Sequence, residues 1–139
     1  MSDKKQTFVD ASVLIYAAVK PTAETFARRM RALQVLNDPS REFVSSHFLR
    51  LEVLPIAKFF SRQREVRFYE TFFEGVAHWS EDADLILPAE DIAAKFGLGA
   101  LDALHLCAAE QFDAEFVSAE KLTKPIYRAY SNISSIYQD

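Results

Sequence analysis

The chain has 139 residues, half of them apolar and 13% aromatic, with only three glycines and five prolines. That supplies one packed core and excludes a disordered chain or two independent domains, while the single cysteine, Cys107, excludes an internal disulfide and suits a reducing compartment. The net charge of −4 speaks against a uniformly basic nucleic-acid binder, but residues 1–67 carry 12 Lys+Arg and 7 Asp+Glu, and residues 68–139 carry 4 and 13, so one part of the chain can still offer phosphates a basic path.

The first residues, Met1 to Gln6, are polar, and the apolar runs Val13–Val19 and Leu98–Ala109 are too short to cross a bilayer. A soluble cytoplasmic protein with no membrane contact is expected. Thr7-Phe8-Val9 is a β-prone run closed by Asp10, and reads as the first strand. Ser12–Lys20 reads as a helix stopped by Pro21. Thr22 is the expected N-cap of a helix reaching Leu36, with Ala23, Phe26, Ala27, Met30 and Leu33 at helical spacing. Asn37-Asp38-Pro39 ends it.

Glu42–Ser45 reads as the second strand and Ser46–Phe60 as a helix that Pro55 should kink. Phe68, Tyr69, Phe72, Phe73 and Val76 form one face of the next helix. With Phe59 and Phe60 nearby, that face is either core or an apolar groove for a partner. A short strand falls within Val76–Ser80, where His78 and Trp79 read as a sheet edge. A helix broken at Pro88 runs to Phe96, and Gly97-Leu98-Gly99 separates it from a helix over Ala100–Phe112. Glu115–Ser118 reads as a fourth strand and Ile133–Tyr137 as the last. Strands alternating with helices predict a three-layer α/β/α sandwich around a mainly parallel sheet, in a single domain over 1–139. In such sheets, sites form beyond the carboxyl ends of the strands, where Asp10 and Ser118 fall.

Three acids stand in unusual company. Asp10 closes an apolar strand, Glu52 is the only acid between Glu42 and Glu65, and Asp102 is the only one between Asp91 and Glu110. Burying an unpaired carboxylate costs several kcal/mol, so each needs a cation or strong hydrogen bonds. Each has an ordinary reading: Asp10 caps the Ser12 helix, Glu52 lies at an exposed helix edge, and Asp102 complements the dipole of its own first turn. Taken together they suggest a pocket for Mg²⁺ or Mn²⁺, the hard cations that prefer carboxylate oxygen. No Cys/His cluster suggests zinc. His105, three residues after Asp102, reads as a packed histidine with a local partner.

These segments resemble the PIN-domain ribonucleases. Thr7–Ile15 is similar to the family's opening strand and helix, in which an aspartate ends the strand and a small hydroxyl residue follows. Ser46–Leu54 resembles its second acidic element, and Gly97-Leu98-Gly99-Ala100-Leu101-Asp102-Ala103-Leu104-His105 its most recognisable segment. Phe116–Lys121 stands in the place of the fourth element, with Ser118 and Glu120 where a threonine and an aspartate are usual. The likeness spans about residues 6–137, and the size matches the VapC-like toxin branch. It implies metal ligation by Asp10, Glu52 and Asp102 with Glu120 assisting, and Ser12 and Ser118 orienting a carboxylate or water; Asp113 and Glu115 are the fallbacks for Glu120. It further implies Mg²⁺- or Mn²⁺-dependent hydrolysis of RNA, a small antitoxin partner and a homodimer. Lys4, Lys5, Arg50 and Lys121, with Arg28, Arg29, Arg31 and Lys124, are the candidate phosphate contacts. Two alternatives remain: a PIN domain that binds RNA or protein without cleaving, and an aspartyl-phosphate receiver or phosphatase, which lacks its second acid beside Asp10.

Overall fold

The computed structural model describes residues 3–137. Five parallel strands, β1 (Lys5–Val9), β2 (Arg41–Ser45), β3 (His78–Trp79), β4 (Glu115–Ser118) and β5 (Ile133–Ser135), form one sheet in the order β3-β2-β1-β4-β5. The helices α1 (Ala11–Ala18), α2 (Phe26–Leu36), α3 (His47–Phe59), α4 (Gln63–Glu74), α5 (Ile86–Phe96), α6 (Ala100–Gln111) and α7 (Ile126–Ala129) complete the α/β/α sandwich. Phe8 and Val9 of β1 and Phe116 and Val117 of β4 are at most 1% exposed. That burial explains why these strands read as apolar runs instead of alternating. Among the described residues, no single helix is long and apolar enough to cross a membrane.

The strand order fixes where a site can form. From β1 the chain builds β2 and β3 outward on one side, then crosses over to add β4 and β5 on the other. The crevice beyond the carboxyl ends of β1 and β4 is therefore the topological switch point, where connections diverge and leave a gap. Asp10 and Ser118 stand at its two lips.

Several elements differ from expectation for local reasons. Helix α2 starts at Phe26, because Thr22 and Thr25 exchange side-chain and backbone hydrogen bonds in a turn of their own. Pro88 does not break a helix. It sits in the first turn of α5, where backbone N–H groups lack intrahelical partners anyway, and the discontinuity lies earlier, where a 3-10 turn over Asp82–Leu85 passes into α5. Pro55 lies inside α3, which continues past it to Phe59. The four-residue α7 was not expected at all. The aromatic face of α4 divides: Tyr69 and Phe73 are 3% exposed core, whereas Phe68 and Phe72 line a groove.

Candidate active site

Asp10 leaves β1 in extended conformation and caps α1. Its Oδ1 accepts the N–H groups of Ser12 (3.1 Å) and Val13 (3.3 Å) and the Ser12 hydroxyl, and its Oδ2 accepts the Ser118 hydroxyl at 2.7 Å. The ordinary reading of Asp10 as a helix cap is thus correct, and it coexists with a place at the switch point. The two serines continue the network: Ser12 Oγ accepts the Ala119 N–H and Ser118 Oγ accepts the Glu120 N–H, both at 3.0 Å. Burial dominates the Asp10 carboxyl and raises its pKa from 3.8 to about 6, against the pull of Ser12, Ser118 and His105.

Asp102 stands in the first turn of α6, placed there by the turn at Gly97 and the N-cap Gly99. Burial is the largest influence on it and raises its pKa. His105 opposes that rise, Glu52 adds to it, and Lys124 opposes it. Glu52 projects from α3 with its side chain one-third exposed, and its Oε1 meets His105 Nε2 at 2.7 Å. His105 is 1% exposed, packs its ring 5.6 Å from that of Phe8, and leaves Nδ1 buried without a partner. The Nε2–H tautomer satisfies this arrangement, because a bare Nδ1 lone pair is cheaper to bury than an unpaired N–H. The partner of His105 is therefore not local, as the sequence reading had it, but an acid 53 positions away. The only advance signal was its i, i+3 relation to Asp102.

Glu120 lines a cleft of about 310 Å³ with Asp102, the Gly97–Gly99 turn and Lys124. Its carbonyl accepts the hydroxyls of Tyr127 and Ser135, so the backbone that carries it is pinned on both sides. The fallback acids lie elsewhere. Glu115 begins β4, at the amino edge of the sheet, paired with Arg41 at 2.8 Å and Lys5 at 3.0 Å, and Asp113 precedes it. Position thus favours Glu120 as the fourth acid.

The proposed phosphate contacts divide in the same way. Lys121 and Lys124 border the cleft region with Glu120. Lys5 sits at the amino end of β1, at the opposite edge of the sheet from Asp10; Lys4, just before it, lies near Glu42. Arg50 holds its guanidinium over the Phe73 ring, 5.6 Å from the centroid. On α2, Arg31 Nε donates to the Ile136 carbonyl at 2.6 Å, Arg29 lines the groove beside α4, and Arg28 lies against Tyr16 and Tyr137.

Among the described residues, no three His, Cys, Asp or Glu side chains are grouped closely enough to hold a metal ion by themselves. The candidate donors Asp10 and Asp102 nevertheless offer carboxyl oxygens whose burial favours a neutralising charge. Magnesium commonly binds through one or two carboxylates and keeps its waters. The donor set fits a hydrated hard cation rather than a closed protein cage.

Comparison with known proteins bears on the same segments. No curated protein matches the chain. The structure is similar to a toxin-antitoxin complex from Klebsiella pneumoniae (TM-score 0.64, 18% identity, 96% of this chain and 99% of that one). It is also similar to VapBC2 from Rickettsia felis bound to a DNA fragment from their promoter (TM-score 0.66, 12% identity, 94% and 98%). A third likeness is to FitAcB from Neisseria gonorrhoeae (TM-score 0.60, 16% identity, 94% and 98%). At such identities these establish the fold. The PIN domain model matches residues 7–126, from within β1 to beyond Glu120; the chain belongs to the PIN domain family.

Proposed function

We propose that this protein is a divalent-metal-dependent endoribonuclease and the toxin of a toxin–antitoxin pair. The observation that supports the reading is that Asp102 and Glu120 line one cleft while the Ser118 hydroxyl links the Glu120 backbone to Asp10, with Asp10 and Asp102 both raised in pKa by burial. Asp10, Asp102 and Glu120, with Glu52 beside them, would hold Mg²⁺ or Mn²⁺. Such an ion supplies activated water and neutralises charge developing on a phosphodiester. The protein's own part is to fix the acids: Ser12 and Ser118 orient Asp10, and His105 orients Glu52.

The toxin assignment draws on the solved neighbours, two of which are a toxin-antitoxin complex and VapBC2. It also draws on a groove of about 630 Å³ between α1, α2 and α4, where Phe43, Phe68 and Phe72 lie among Arg29, Arg64 and Arg67. That chemistry suits an amphipathic antitoxin segment bearing acids. Phe59 and Leu87, 80% and 74% exposed, give apolar area for a second copy. A cytoplasmic location accords with a free, buried Cys107.

The test is cleavage of structured and unstructured RNAs. Activity should require Mg²⁺ or Mn²⁺, stop in EDTA, and disappear in Asp102→Asn. A second reading, an RNA-binding PIN domain that does not cut, is favoured by the saturation of Asp10 with protein hydrogen bonds. Binding without cleavage under every divalent metal would establish it. The aspartyl-phosphate alternative needs a second acid beside Asp10, where Ser12 stands.

A further inference from the structure

We propose that the surface beside Glu120 is a subsite for one unpaired ribonucleotide, its base stacked on Tyr137 and Tyr16 and its phosphate held by Lys121 and Lys124. The proposal rests on the ribonuclease reading and specifies how substrate is seated. A crevice ringed by carboxylates repels a phosphate chain, so the approach must be lined with cations. Lys121 and Lys124 supply them. They border a second cleft, about 330 Å³, together with Ser12, Glu120 and the two tyrosines. Neither lysine forms an ion pair among the described residues, although Lys124 lies near enough to Asp102 to lower its pKa.

The aromatic half of the cleft is braced from α2. The Arg28 guanidinium lies 4.0 Å from the Tyr137 ring centroid and 5.8 Å from that of Tyr16, and its Nε is buried without a hydrogen-bond partner. One cation thus orders both rings and adds positive charge beneath them. Ordered aromatic rings beside unneutralised lysines are the combination that binds a nucleotide: the base has a π face for the rings and the phosphate a charge for the lysines. A base within a duplex is already stacked and cannot lie on a tyrosine, so the subsite selects unpaired RNA.

The experiment uses Asp102→Asn protein as the background, so that binding is read without cleavage. The probes are a labelled oligoadenylate and a strand of the same length lacking its bases. Tyr137→Leu should weaken oligoadenylate binding by about five- to a hundred-fold, the range for loss of one stacked base, and leave the base-free strand unaffected. Tyr137→Phe, which keeps the ring, should restore full affinity. Lys121→Gln and Lys124→Gln should weaken both probes alike, each reducing the slope of log affinity against log salt by about 0.7. Equal loss on both probes in Tyr137→Leu, or no loss on either, overturns the subsite. If wild-type protein cleaves RNA while these variants bind as their parent does, the subsite falls and the ribonuclease stands. If wild-type protein neither cleaves nor binds RNA, the ribonuclease reading fails and takes the subsite with it.

Discussion

One carboxylate, Asp10, serves two elements at once: it caps α1 through Oδ1 and ties β1 to β4 through Oδ2 and Ser118. Those bonds do not offset its burial, which leaves the pKa at about 6. Native protein therefore holds this proton to a higher pH than the unfolded chain. Its contribution to stability is complete below pH about 4 and is lost as pH rises to about 6, a difference on the order of 2–3 kcal/mol. In EDTA, Asp10→Asn should be more stable than wild type at pH 7.5, and the gap should close toward pH 4. Asp10→Ala should lie about 1 kcal/mol below Asp10→Asn at both pH values, because it also lacks the cap. Urea midpoints at the two pH values read both effects, and a gap independent of pH would contradict the assignment. Asp10 and Asp102 were legible in the sequence because a lone acid in an apolar run demands an explanation. The Glu52–His105 bond was not, because nothing in either local pattern encodes a contact between α3 and α6.

At the scale of elements, the start of α6 decides where Asp102 points. Gly97 ends α5 in the left-handed region, at φ 71°, its N–H bonded to the Ala93 carbonyl, and Gly99 caps α6 two residues later. A side chain at Gly97 would meet nothing within 4 Å, so any penalty there comes from the backbone alone. Gly97→Ala should cost about 1 kcal/mol, with Gly97→Asn milder because asparagine tolerates this conformation. Thermal unfolding of the two variants checks the order, and equal melting temperatures would mean that the turn relaxes. This turn was readable from its two glycines, as β4 was from Glu115–Ser118, the bounds it adopts. Shorter elements were read less well. Strand β5 was expected over Ile133–Tyr137 and ends at Ser135, and the four residues of α7 are too few for periodicity to register. Thr22 misled for a related reason: a hydroxyl three positions from another can close a turn as readily as it caps a helix.

Across the whole molecule, the two edges of the sheet treat their acids in opposite ways. At the carboxyl edge, Asp10 and Asp102 are raised in pKa. At the amino edge, Glu115 receives Arg41 and Lys5 on Oε1 and the Ser134 hydroxyl on Oε2, while Arg41 also bonds Thr7, so β1, β2, β4 and β5 are tied together. The parallel topology expected from the sequence already implied this polarity: residues preceding a strand, such as Lys4 and Lys5, belong at the edge opposite Asp10. Burial alone would raise the Glu115 carboxyl, but the hydrogen bonds from Ser134, Arg41 and Lys5 together outweigh it and hold the pKa down at about 2, from 4.5. A depressed folded pKa contributes stability above pH about 4.5 that disappears as pH falls toward 2. Glu115→Gln should therefore lose about 2 kcal/mol at pH 7, since the charge-assisted bonds from Arg41 and Lys5 weaken while Arg41 keeps Asp38 at 3.3 Å, and its stability should vary less than that of wild type between pH 4.5 and 2.5. RNA cleavage by the folded variant should be unchanged, because this cluster stands at the far edge from the crevice. Selective loss of cleavage with stability intact would move Glu115 into the catalytic set and reverse the assignment of Glu120.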